Sequence, residues 1–126
     1  MFTITANDKA SILSGIVNCI SSPKFKTAML VSSRRKLIDL VYTTREILYL
    51  LDDLYGHNYR LRSAGISFSI EFKNGSLFTI RYYIPMERGC QADMIILDEF
   101  IPEEEKKYLS SYCGITNYMR GGLTND

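Results

Sequence analysis

The stretch ADMIILDEFIPEE, residues 92–104, decides how the rest of the chain is read. Its apolar run, Met94 to Leu97, leads straight into two adjacent carboxylates, Asp98 and Glu99. A run without alternation predicts a strand covered on both faces, as in the interior of a parallel sheet. An acidic pair closing such a strand sits where open α/β sheets place their ligand chemistry. Successive side chains leave a strand on opposite faces. Asp98 could therefore hold a metal while Glu99 orients and deprotonates a water. The plainer alternative is a strand end whose acids meet solvent, and this stretch alone does not separate the two.

Upstream, Ile66, Phe68, Ile70 and Phe72 alternate with polar residues, and Phe78, Ile80, Tyr82 and Ile84 alternate on the return. Asn74-Gly75 between them tolerates positive φ, so a hairpin is predicted over about 66–84. Before a short loop, Leu37, Leu40, Val41, Ile47, Leu48, Leu51, Leu54 and Tyr55 share a helical face that Gly56 ends. The opposite face carries Arg35, Lys36, Asp39, Glu46 and Asp53. Ala28 to Val31 reads as a buried strand. A first helix follows Asn7 and Asp8, with apolar residues at 12, 13, 16, 17 and 20, and the FTIT before it reads as a short strand. Downstream, Pro102 opens a helix from Glu103 to Ser111 with acids in its first turn, where the helix dipole favours them. The pattern predicts one α/β domain over 1–113, a three-layer sandwich with a mostly parallel sheet and an inserted hairpin. Residues 114–126, with Gly121-Gly122 and polar ends, read as a loose tail.

At 126 residues the chain is long enough for one real core. A formal net charge of +1 argues against a function carried by bulk positive charge. Cys19, Cys90 and Cys113 are widely spaced and form no CxxC pair, which fits free thiols, and the lone His57 has no second histidine with which to share a metal. With no signal peptide and no long apolar run, a soluble intracellular protein without a membrane partner is expected.

The order ISFSIEFKNGSLFTI, MERGCQAD, MIILDEF (residues 66–100) resembles the ATPase domain of the large terminase subunit, the DNA-packaging motor of tailed phages and herpesviruses. Asn74-Gly75-Ser76, Arg88-Gly89, Asp93 and Asp98-Glu99 match that family's hairpin turn, Arg-Gly pair, spacer and Walker B strand end. AMLVSSRRKLIDLVYTTREIL (28–48) resembles its next strand and helix upstream. The resemblance spans roughly residues 1–110 and implies a nucleotide-binding sheet, with ATP and Mg²⁺ as cofactors, Asp98 for the metal and Glu99 for water activation. Arg88, just before the Walker B strand, is given no catalytic role, and a surface arginine pairing an acid is at least an equal reading. DNA and other packaging-motor or host protein chains are the implied partners.

The chain departs from the family at its phosphate loop. The one place for it is TANDKAS (5–11), where Lys9 would stand for the phosphate lysine and Ser11 for the metal hydroxyl. No glycine precedes Lys9, and Asp8 would repel a triphosphate unless a cation intervenes. The family's coupling motifs and nuclease domain lie beyond this length, so the sequence reads as the front part of a packaging ATPase, shortened or split. Two functions follow: an ATPase that is active with a partner chain or through an irregular phosphate loop at 5–11, or a non-catalytic descendant that binds protein or DNA. A helicase-like fragment fits less well, lacking this hairpin and Arg-Gly approach. For nucleic acid the candidate patch is Arg34, Arg35, Lys36, Arg60 and Arg62, with Tyr55 and Tyr59 as stacking rings, although acids at 39, 46, 52 and 53 dilute the field.

Overall fold

The computed structural model describes residues 6–56, 58–65, 67–83, 92–98, 100–110 and 115–119. The expected FTIT strand, His57, Ile66, Ile84, Arg88-Gly89, Cys90, Glu99 and Cys113 lie outside the described residues. The elements in chain order are α1 (Ala6–Ser21), β1 (Lys26–Val31), α2 (Arg34–Tyr55), β2 (Tyr59–Ala64), β3 (Ser67–Phe72), β4 (Leu77–Tyr82), β5 (Met94–Asp98), α3 (Glu103–Ser110) and β6 (Ile115–Met119).

The described strands form one mixed sheet in the order β2-β3-β4-β1-β5-β6. β1 lies parallel between β4 and β5, and β6 runs parallel to β5 on its far side. β2, β3 and β4 pair antiparallel. This is the α/β class expected, a mostly parallel centre with an antiparallel extension. All of β5 and all but the first residue of β1 are buried, because both strands feed a core on each face. On one face Met29, Val31, Met94 and Ile96 meet Ile12, Ile16 and Cys19 of α1 and Leu37, Leu40 and Leu48 of α2. On the other, Ala28, Leu30, Ile95 and Leu97 meet Tyr83 and Ile101. Ile101 leads into α3, and the Tyr83 hydroxyl donates to Glu105 there. Burial also pushes the Cys19 thiol up to about 11, the nearby Asp93 charge adding to a shift that a hydrogen bond with Thr27 opposes.

Several details differ from the sequence reading. α1 begins at Ala6, so Asn7 and Asp8 lie within its first turn rather than before it. The expected loop after α2 contains β2, whose alternation of Tyr59 and Leu61 with Arg60 and Arg62 was obscured by its charge. The expected tail contributes β6, with Leu97 paired to Tyr118 and Asp98 to Met119. At the hairpin turn only Gly75 has positive φ, 89°. Asn74 is there for its side chain: Nδ2 donates to the Cys19 carbonyl at 2.7 Å, and Oδ1 accepts from Ser76 N at 2.9 Å. Ser76 Oγ donates to the Ser22 carbonyl at 2.7 Å and accepts from Phe25 N at 3.0 Å. The Asn-Gly-Ser turn is therefore fastened to the α1–β1 junction. None of the helices among the described residues is long and apolar enough to cross a membrane.

Gly15 sets how closely α1 lies on the sheet. A Cβ there would stand 2.4 Å from Phe78 Cε1, inside a fully buried ring. Gly15→Ala should therefore destabilise the fold by about 1–3 kcal/mol in urea unfolding, although alanine in a helix is otherwise favoured by roughly 1 kcal/mol. Phe78→Leu should cost less in that background than in the parent chain. A neutral or stabilising Gly15→Ala would show that α1 and β4 are not in close contact.

Candidate functional site

β1 and β5 end side by side, Leu30 paired with Leu97, so the next residues on each strand emerge together at the carboxyl edge of the sheet. β1 passes into α2 through Ser32 and Ser33. Ser33 is the N-cap, with extended backbone and a side chain that accepts from Arg35 N and Lys36 N at 3.1 and 3.3 Å. The helix that begins there sends Lys36 inward, one turn ahead of Leu40 and two ahead of Thr44, both fully buried.

Asp98, ending β5, is 0% exposed. Its Oδ2 accepts from Ser32 N at 3.0 Å and from Ser32 Oγ at 2.7 Å. Its Oδ1 lies 3.5 Å from Lys36 Nζ and 3.4 Å from Phe100 N. A carboxylate offers about four lone-pair positions, so the acceptor capacity of Asp98 is taken up, by two short bonds on one oxygen and two longer ones on the other. Lys36 is 4% exposed and also lies 3.8 Å from Oδ1 of Asp8, itself 2% exposed, in the first turn of α1. One buried ammonium thus stands between carboxylates from two different elements. Such a charge is tolerated in an apolar interior only because it is paired.

The inward stripe of α1 is Asp8, Ile12, Ile16 and Cys19. Asp8, rather than Lys9 or Ser11, therefore faces Asp98 across Lys36. Lys9 is exposed and lines a shallow depression with Thr43, Glu46 and Leu50 of α2, while Ser11 is half-buried. Glu99 lies outside the described residues. Among the described residues no group of three or more His, Cys, Asp and Glu is placed to hold a metal ion.

The basic patch divides. Lys36 leaves it altogether, because its ammonium is buried against the two acids. Arg34 and Arg35 are exposed at the start of α2, the Arg34 guanidinium 5.5 Å from the Tyr82 ring centroid on the face covered by α1 and α2. Arg60 and Arg62 project from β2 on the opposite side and share Glu71, at 2.8 and 3.2 Å. The Arg60 hydrogen bond, with the charges of Arg62 and Arg60 behind it, holds the Glu71 carboxyl below its ordinary range against a smaller opposing effect of burial. Tyr59 does not present a free ring. It packs edge-on to Phe72 at 6.2 Å and donates to Asp52 at 2.8 Å, and burial followed by that acid pushes its phenol up to about 12.

In the sequence reading Ser32 carried no role, Lys36 was a surface cation of the basic patch, and Asp8 was a candidate helix cap and an acid set against a triphosphate. The stripe Leu40, Thr44, Leu48, extended one turn back, lands on Lys36 and is the signal that points inward.

No protein-family model and no curated protein sequence matches the chain. Solved structures do match, and they have the fold of phage large-terminase ATPase domains. The large terminase of a thermophilic bacteriophage aligns with a TM-score of 0.59 at 13% identity, over 86% of this chain and 28% of that one. A mutant ATPase domain of the Thermus phage P74-26 large terminase aligns with a TM-score of 0.58 at 14% identity, over 96% of this chain. A second structure of that domain gives 0.54 at 13%, over 95%. The chain spans 64% and 57% of those two ATPase-domain chains. The resemblance read from the hairpin and the Asp-Glu strand is thus matched by the three-dimensional fold.

Two measurements test this geometry. Asp98→Ala should cost about 3–5 kcal/mol of unfolding free energy, because it leaves the Lys36 ammonium buried with one partner fewer. Unchanged or raised stability would mean that Asp98 is not held as described. The depressed Glu71 value contributes stability that is present above its unfolded pKa and lost as pH falls through the lower folded one. In low salt, Glu71→Gln should therefore lower Tm at neutral pH and leave it unchanged at a pH below both values. An equal loss at both pH values would exclude the ion pair as the cause.

Proposed function

We propose that this chain serves viral DNA packaging as a non-hydrolysing protein of the terminase ATPase fold, acting by binding another protein chain rather than by turning over ATP. The observation that carries the reading is the engagement of Asp98 by Ser32, Lys36 and Phe100. Mg²⁺ is bound by one or two carboxylates and retains several waters, with metal–oxygen distances near 2.0–2.1 Å. At Asp98 it would meet an ammonium 3.5 Å away and a carboxylate whose lone pairs are already used. The first turn of α1, where a helix end would attract phosphate, already holds the Asp8 carboxylate on its inward side. The described residues thus do not fit an ATP·Mg²⁺ complex, and no hydrolytic step is assigned to Asp98, Glu99, Lys9 or Ser11.

A protein partner is favoured over DNA by the surface. Ile38, Tyr42, Tyr49, Leu50 and Leu54 of α2 are each more than half exposed, while Arg60 and Arg62 share the one acid Glu71, which halves their charge, and Lys36 is withdrawn. Exposed apolar side chains gathered on one helix mark contacts with other proteins.

Calorimetric titration of the purified chain with ATP in the presence of Mg²⁺ should show no binding, and labelled duplex DNA at physiological salt should show no anisotropy change. Mg²⁺-dependent ATP binding that Glu99→Gln preserves while abolishing turnover would overturn the non-hydrolysing reading in favour of an ATPase. Salt-sensitive DNA binding lost on removing Arg34 and Arg35 would replace the protein partner with nucleic acid.

A further inference from the structure

We infer that the Lys36 ammonium is a built-in replacement for a divalent cation, so that this is a cation site already filled by the chain's own side chain. The inference rests on the reading just proposed and deepens it. Two carboxylates from two separate elements meet at this nitrogen, Asp8 from the first turn of α1 and Asp98 from the end of β5. Ser32, just after β1, supports Asp98 from behind by bonding its other oxygen. Both facing groups are hard oxygen donors, the kind that suits Mg²⁺ or Mn²⁺. Both carboxylates are nearly sealed from solvent and each lies within 4.0 Å of the same nitrogen.

Two buried like charges held this way require a positive centre between them. A metal ion supplies it by binding, whereas Lys36 supplies it covalently, its stem lying along the inward stripe of α2. The position on α2 matters. The nitrogen reaches Asp98 and Asp8 because Ser33 caps the helix immediately after β1 and so places residue 36 one turn above the strand ends.

Removing the charge while keeping the length should open the site. The full chain is titrated with Mn²⁺ alone, without nucleotide, and free Mn²⁺ is followed by its electron paramagnetic resonance signal. The parent chain should leave millimolar Mn²⁺ free. Lys36→Met should bind one Mn²⁺ per chain at least tenfold more tightly than the parent, and its Tm should rise by several degrees on adding Mg²⁺ while that of the parent does not. Asp98→Asn in the Lys36→Met background should abolish both effects. Should Lys36→Met be unfolded in the absence of metal, refolding on addition of Mg²⁺ or Mn²⁺ is the expected result.

Mn²⁺ binding by the parent equal to that of Lys36→Met would overturn the inference, as would a Lys36→Met chain that neither binds the ion nor is rescued by it. Because the titration contains no nucleotide, it fails or succeeds separately from the ATP titration. ATP turnover by the parent would reject the non-hydrolysing reading while leaving the metal comparison to be judged on its own result.

Discussion

The shared ammonium of Lys36 joins α1, α2 and β5 at one point, and the arrangement of the carboxyl edge of the sheet follows from it. A lone charge at this depth would be costly enough to unfold a domain of this size, since the net stability of such domains is about 5–15 kcal/mol. Paired with Asp98 and Asp8, the same charge fixes the approach of both helices to the strand ends. The cost of desolvation is met by specific partners, and the geometry is correspondingly unforgiving. Ser32 belongs to the same unit, because its amide and hydroxyl hold the Asp98 oxygen that Lys36 does not reach.

The parts of this fold that could be read from residues alone were those with strong periodicity. The unbroken apolar run of β5 and the alternation of β3 and β4 each have one physical solution, and they took it; the stripe of α2 holds from Leu37 to Leu51, whereas Leu54, expected on it, is exposed. β2 was hidden because an edge strand facing solvent can be rich in charge, and Arg60 and Arg62 look like loop residues until Glu71 is placed opposite them. β6 was hidden for a different reason: Ile115 to Met119 is a short stretch whose strand state is set by pairing with β5 rather than by its own pattern. Asn74 illustrates a correct prediction for an incomplete reason, since the turn exists but the asparagine holds the end of a distant helix.

The candidate site was half visible. Asp98 could be singled out because an acid closing a buried strand is chemically odd, and the carboxyl edge is where it was found. Lys36 was passed over, because a lysine after two arginines at a helix start reads as solvated, although it lies on the inward stripe of Leu40, Thr44 and Leu48. Its two acidic partners come from α1 and β5, and that meeting is set only by the three-dimensional fold. Low identity with the phage terminases, 13–14%, is compatible with this outcome. A sheet topology survives wide sequence change as long as the apolar pattern is kept, whereas a site depends on a few individual atoms. The likeness accordingly speaks to the backbone, and the chemistry has to be argued from Asp8, Ser32, Lys36 and Asp98 themselves.

The helix α1 is tethered at both extremities. Near its start, Asp8 is drawn toward Lys36; near its finish, the carbonyls of Cys19 and Ile20 accept from the Asn74 amide. Between these anchors the absent side chain of Gly15 lets the helix lie directly on Phe78. A rod pinned at each end and seated along its length behaves as a strut, not a piston. Sliding it along its axis would mean breaking the polar ties at opposite borders of the sheet in a single event.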